Sequence, residues 1–304
     1  MTDSPPTIAP PPDFIASAFP PGAAFARFTP PGQQAALAYM DAGAGGPPVV
    51  CVHGNPTWGW LWRGVARAVS PDRRVVVPDH VGMGRSDKPA DYPYRLDRHA
   101  ENLRALWTHL NLSDITLVCH DWGGPIGLLA AVREPGRVGR VVLSNTAAFR
   151  SDRMPWQIAL ARSPVGELLV RGPNLFVRGL MRQGVDDPHA VTEPARRGYL
   201  WPYPDWASRV ALHRFVKDVP TSPKHPSHGH LVEVEAGLAT LADKPTLLLW
   251  GERDWCFGKP FLQEFQRRMP WAKTTALPAG HLPQEECPAE YEQAVAAFAA
   301  GSEP

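Results

Sequence analysis

Five short runs set the architecture: Val49-Val50-Cys51-Val52, Val75-Val76-Val77, Ile115-Thr116-Leu117-Val118, Val141-Val142-Leu143 and Thr246-Leu247-Leu248-Leu249-Trp250. Each is rich in Val, Ile and Leu and continuous rather than alternating. A strand with one wet face alternates apolar and polar residues, so a continuous run needs cover on both faces. Helical stretches supply that cover. From Arg95 to Leu110 apolar residues recur at 3.6 spacing with charges opposite, and a second helix is expected from Pro260 to Met269. Strand-like segments at Ala35 to Met40 and Lys273 to Leu277 complete the series. Strand alternating with helix predicts an α/β protein with a mostly parallel, doubly wound sheet.

The strand signal stops after Asn145 and resumes at Thr246. Between them, Arg150 to about Glu235 is rich in Trp, Leu, Arg and Pro and reads as helical, for example from Val165 to Arg182. The expected organisation is a proline-rich tail over 1–30, a core over 31–149 and 236–304, and an inserted helical cap over 150–235. Proline crowding in the tail is incompatible with a helix or an interior strand. With 44% hydrophobic residues in 304, the chain can bury a large core. Its 31 basic and 30 acidic residues leave a formal net charge of +1, so no global field recruits nucleic acid or an anionic membrane, and a small apolar substrate fits better. Cys51, Cys119, Cys256 and Cys287 form no C-x-x-C pair, which favours a reducing compartment over a disulfide framework. No run of 18 apolar residues and no leader-like N-terminus is present. A cytoplasmic protein without a transmembrane segment is expected.

Three motifs, each just past an expected strand, carry chemistry. His120-Asp121-Trp122-Gly123-Gly124 ends the third run. It fits a nucleophile elbow, a sharp strand-to-helix turn in which the residues two before and two after the nucleophile must be small; Cys119 and Gly123 meet that need. The nucleophile here is Asp121. A carboxylate is suited to displacing a leaving group from saturated carbon, giving an alkyl ester on the enzyme, whereas a serine alkoxide attacks carbonyls. His53-Gly54-Asn55-Pro56-Thr57-Trp58 follows the first run. Asn55 and Trp122 occupy the positions that donate N–H groups to an anion in such a turn, and both also carry side-chain N–H donors. Trp250-Gly251-Glu252-Arg253-Asp254 and Ala279-Gly280-His281 supply an acid and a base. Asp254 is expected to hold the His281 imidazole in its working tautomer, with Glu252 the alternative, and an ion pair with Arg253 the non-catalytic reading of Asp254. Neither a metal nor a cofactor is expected: His225, His228 and His230 lack supporting carboxylate or cysteine spacing.

With HGNPTW (53–58), DHVGMGRSDKP (79–89), HDWGG (120–124), WGERDW (250–255) and AGH (279–281) in order, the chain resembles the haloalkane dehalogenase group of α/β-hydrolases over its length after the tail. Within that group it looks closest to the β-lactone decarboxylases of bacterial long-chain olefin biosynthesis. That likeness rests on Ser144 to Phe149, Leu168 to Gly172, Gly198 to Tyr203 with Trp206, and Arg214 to Pro220. It departs at Leu282-Pro283-Gln284-Glu285-Glu286, where an aromatic-then-aliphatic run is expected. The resemblance implies an α/β-hydrolase fold and conversion of cis-3,4-dialkyl β-lactones to alkene and CO2. It also implies assembly with other olefin-biosynthesis enzymes.

Other readings stay open on the residues. A haloalkane dehalogenase would form the same ester and hydrolyse it with water activated by His281. An epoxide hydrolase would need two cap tyrosines, for which Tyr199 and Tyr203 are candidates by position. A non-catalytic scaffold would show a broken triad. Long alkyl arms would need an extended apolar groove, and Trp156, Leu160, Leu168, Leu169, Leu175, Phe176, Leu180 and Met181 offer apolar cap surface for one.

Overall fold

In the computed structural model, which describes residues 11–302, eight strands form one sheet in the order β1-β2-β4-β3-β5-β6-β7-β8. They are β1 (Ala24–Phe28), β2 (Leu37–Ala42), β3 (Val49–Val52), β4 (Val75–Pro78), β5 (Ile115–His120), β6 (Val138–Ser144), β7 (Thr246–Gly251) and β8 (Lys273–Leu277). Strands β1 and β2 pair antiparallel, β2 joins β4 antiparallel, and β4, β3, β5, β6, β7 and β8 run parallel. All five continuous runs are strands, and β3, β4, β5 and β7 are buried at every position. Helices on both faces explain that burial, at about 1.5–3 kcal/mol for each fully buried Val or Leu. The helix Leu96–His109 is one of them, directing Leu103, Leu106 and Trp107 inward. Chain order reverses between β3 and β5, which opens a crevice beyond their C-terminal ends.

The stretch expected to be a tail is partly built into the fold. Residues 1–10 lie outside the described residues, but Asp13–Ala16 is a short helix and Ala24–Phe28 is the outermost strand. An edge strand leaves its outer N–H groups to solvent, so it tolerates the prolines that flank it. Aromatic anchors fix the segment: the Phe19 ring meets Phe25 and Trp60 edge-on at 5.6 and 6.2 Å.

Between β6 and β7 come the helices Trp156–Arg162, Gly166–Arg171, Leu175–Gln183, Glu193–Leu200, Val210–Lys217 and His228–Gly237. The single helix expected over 165–182 is two, broken at Gly172-Pro173-Asn174, with Asn174 left-handed at φ 56°. The helix His228–Gly237 straddles the expected boundary at 235 and packs on the core helix Gly123–Arg133. The preceding helices sit over the C-terminal ends of the strands, fastened by polar bonds. Trp58 and Trp60 donate indole N–H groups to the carbonyls of Gly198 (3.0 Å) and Ala195 (3.2 Å). Asp218 accepts the N–H of Leu96 at 2.8 Å, capping the helix beneath. No helix among the described residues is long and apolar enough to cross a membrane.

Candidate active site

Asp121 sits between β5 and the helix Gly123–Arg133 with φ 51°, a left-handed conformation that a non-glycine residue adopts at a cost. The turn is locked around it. Thr146 donates to the Asp121 carbonyl at 2.5 Å, and the Gly124 N–H reaches the same oxygen at 2.9 Å. The turn also demands small neighbours, as expected. A Cβ on Gly123 would lie 2.1 Å from the Val52 carbonyl, and one on Gly54 would lie 2.2 Å from Asp121 Oδ1.

The Asn55 backbone N–H donates to Asp121 Oδ1 at 2.6 Å, and the Trp122 N–H faces the same carboxylate. Burial nonetheless lifts the Asp121 pKa to about 6, against the pull of His281 and those two N–H groups. Both expected anion-binding residues therefore converge on the site, with one refinement. The Asn55 side chain gives an amide hydrogen to the Leu212 carbonyl at 3.0 Å, which ties it to the inserted segment.

His281 Nε2 stands 3.8 Å from Asp121 Oδ2, and His281 Nδ1 donates to Asp254 Oδ2 at 2.8 Å. Burial lowers the imidazole pKa, but the Asp254 and Asp121 carboxylates more than offset it, so the pKa is raised. For Asp254 burial works upward and loses to His281, so its pKa falls. The other roles weighed for this loop are not seen. Glu252 is exposed, and Arg253 pairs with Asp186 at 2.5 Å, not with Asp254.

Several residues to which the sequence motifs assign no role position the site. Asn145, left-handed at φ 38°, donates to Asp254 Oδ2 and to the Gly251 carbonyl, both at 3.0 Å, and accepts the Gly251 N–H at 2.8 Å. Cys256 N–H holds the other Asp254 oxygen at 2.7 Å. His120 donates to the His281 carbonyl at 2.7 Å, while the His281 N–H donates to the Gly184 carbonyl of the inserted segment, also at 2.7 Å.

The unexpected residues after His281 also have work to do. Glu285 accepts a forked pair of bonds from Arg63 (2.7 and 2.8 Å) and the Tyr199 hydroxyl (2.6 Å). Glu286 accepts N–H groups from Gly280 (2.8 Å), Asp186 (2.7 Å) and Asp187 (3.2 Å). Together they bind the loop that carries His281 to the inserted helices. Tyr199 and Tyr203 are buried and line neither cavity beside Asp121. Of the three clustered histidines, His230 lies beside Arg133 and Glu233, and His225 bonds the Lys217 carbonyl.

Two apolar lobes, of about 150 and 190 Å³, diverge from Asp121. Both touch Asn55, Asp121, Ile158, Phe176 and Cys256. The first runs between Phe149, Val216, Leu231 and Phe261; the second between Leu160, Leu169, Leu175, Leu180 and His281. Of the apolar cap residues anticipated as a lining, Leu168 points to solvent and Met181 is buried in the core; the other six line a lobe.

Comparison with known proteins agrees with this construction. Residues 47–288 match the α/β-hydrolase fold family. A cis-3-alkyl-4-alkyloxetan-2-one decarboxylase from Xanthomonas campestris pv. campestris is 40% identical over 255 residues, 80% of this chain and 84% of that protein. Haloalkane dehalogenase 2 from Mycobacterium tuberculosis H37Rv is 33% identical over 267 residues, 82% of this chain and 86% of that protein. The crystal structure of the haloalkane dehalogenase DatA from Agrobacterium tumefaciens C58 superposes with a TM-score of 0.83 at 28% identity, covering 94% of this chain and 99% of that one. With its parallel sheet, its elbow and these relatives, the chain belongs to the α/β-hydrolase fold family.

Proposed function

We propose that the protein is a β-lactone decarboxylase that converts cis-3-alkyl-4-alkyl-oxetan-2-ones to alkene and CO2 through an ester on Asp121. The observation that carries this reading is the pair of apolar lobes diverging from the nucleophile. A substrate with two alkyl arms on adjacent ring carbons fills both, whereas a simple 1-haloalkane fills one. The 40% identical relative named as such a decarboxylase supports the same substrate class.

In the first step an Asp121 oxygen attacks the saturated ring carbon that bears the ring oxygen. The C–O bond of the strained ring breaks, an alkyl-aspartyl ester forms, and the freed carboxylate is received by N–H donors of Asn55 and Trp122. Such donors are worth about 3–4 kcal/mol each when aimed at developing charge. In the second step the bond to the carboxylate breaks, its electron pair forms the C=C bond, and Asp121 leaves as a carboxylate while CO2 departs. No water is consumed and no base is required. His281, oriented by Asp254, contributes positive charge that keeps the buried Asp121 ionised. Asp121, His281 and Asp254 are thus nucleophile, electrostatic partner and orienting acid.

Haloalkane hydrolysis is the second reading, favoured by one feature: His281 Nε2, 3.8 Å from Asp121 Oδ2, is poised to activate a water. The experiment is to give the protein a cis-3,4-dialkyl β-lactone and, separately, a 1-bromoalkane, following alkene by gas chromatography and bromide release. Alkene from the lactone is expected; bromide release without alkene would replace the decarboxylase with a dehalogenase. The same reading carries a cytoplasmic location and assembly with the lactone-forming enzyme, for which co-purification from cells is the test.

A further inference from the structure

All seven of the large hydrophobic side chains that stand exposed among the described residues lie on the inserted helices or directly beside them. Five lie on the first three helices or, for Val165, at the N-terminal end of the second: Trp156 (69% exposed), Leu160, Val165, Leu168 (60%) and Leu175. The patch is continuous with the second lobe, whose rim includes Trp156, Leu160, Leu175 and the half-exposed Trp255. Charge is asymmetric in the same stretch. Residues 150–184 hold six arginines against Asp152 and Glu167, although the whole chain is nearly neutral. Arg153, Arg178 and Arg182 are exposed and form no ion pair among the described residues, and Arg178 and Arg182 share a helix face with Leu175 by their spacing.

We propose that this face of the cap docks on an anionic lipid surface, from which apolar substrate enters the second lobe. Trp and Leu beside unpaired arginines is the composition of an interfacial anchor: the apolar groups enter the acyl boundary and the guanidinium groups meet lipid phosphates. Entry of apolar substrate from the lipid accounts for the continuity of the apolar patch with the mouth of the second lobe. Only the delivery of substrate rests on the decarboxylase reading. Docking itself needs no turnover, so the two stand or fall separately.

The test is flotation of the full chain with vesicles of phosphatidylcholine alone or mixed with phosphatidylglycerol. The protein is expected to float with the anionic vesicles and to be released by salt. Arg178→Gln/Arg182→Gln should weaken partitioning about fivefold per arginine, the effect of ~1 kcal/mol per basic residue at a charged surface. Val165→Ser/Leu168→Ser should weaken it about tenfold or more through lost apolar insertion. None of these four residues lines a lobe, so turnover of a short-chain substrate and thermal stability should be unchanged. Failure to float with either vesicle, equal binding to both, or binding untouched by both variants would overturn the proposal. So would a dimer in sedimentation that Val165→Ser/Leu168→Ser dissociates, which would give the patch to a second copy.

Discussion

Replacing Asp121 with asparagine removes a buried negative charge whose cost follows from the upward shift that burial imposes on its pKa. The folded protein holds the proton up to a pH of about 6, against an ordinary value of 3.8. At ~1.36 kcal/mol per pKa unit, ionised Asp121 costs about 3 kcal/mol of folding stability at neutral pH. Asparagine recovers much of this. Its oxygen accepts the Asn55 and Trp122 N–H groups, and its amide faces His281 Nε2, which then serves as acceptor in the neutral imidazole. His281 gives up part of its pairing in exchange, so a net gain of about 1–3 kcal/mol is expected. For 304 residues at ~2.1 cal/mol/K each, that is a rise in Tm of about 2–5 °C at pH 7.5.

The sign is fixed by the direction of the shift. An acid whose folded pKa is raised carries no penalty below its unfolded value of 3.8 and the full penalty above about 6. The advantage of Asp121→Asn over the parent should therefore be complete at pH 7.5, shrink as pH falls through 6 and vanish near pH 4. Scanning calorimetry of freshly purified protein across that range is the assay, with intact mass confirming that the amide has not hydrolysed back. A Tm unchanged or lowered at pH 7.5, or an advantage that grows toward acid, would refute the reasoning. Turnover belongs to Asp121→Ala, which cannot revert and should show none.

Other outcomes follow from the same geometry. Activity of the parent should fall with acid as Asp121 takes up its proton near pH 6, visible in a kcat/KM profile with an acidic limb there. His281→Ala should accumulate an ester by intact mass with a bromoalkane but not with a β-lactone; ester trapped equally by both would mean that water is consumed in each case. Asn145→Ala strips Asp254 and Gly251 of their shared amide, at about 1–3 kcal/mol, and should lower kcat more than it raises KM; a KM effect alone would place Asn145 in binding instead. Tyr199→Phe removes one bond to Glu285 and should cost about 1 kcal/mol of stability without loss of turnover, whereas a large kcat loss would restore its hydroxyl to the chemistry.

The parallel sheet was legible because continuous Val and Leu runs admit few other environments, and the elbow because its neighbours must be small. Asp254 and His281 were legible as strand-end residues, since parallel strands bring their C-terminal ends to one edge. What escaped is informative. In the N-terminal segment, proline density outweighed Phe19, Phe25 and Phe28, although one edge strand needs only a few anchors. Asn145 was hidden because its role lies in a left-handed turn and a long-range amide bridge, neither of which has a local periodicity. Glu285 and Glu286 looked like a misfit because their partners Arg63, Tyr199 and Asp186 are far away in sequence.

Those two glutamates bear on how such proteins can be recombined. His281 is held from the core by the His120 side chain and from the cap by Gly184, while Glu286 ties Gly280 to Asp186 and Asp187. On the inserted side these ties are the Gly184 carbonyl and the Asp186 and Asp187 N–H groups, backbone atoms, so a segment exchanged from a relative keeps them only if its chain follows the same path there, even with the sheet untouched. The module that tunes this site is therefore discontinuous: a graft that keeps His281 in place must match the chain path of residues 184–187 to the loop 280–286, and the one side-chain pair to move together is Tyr199 with Glu285.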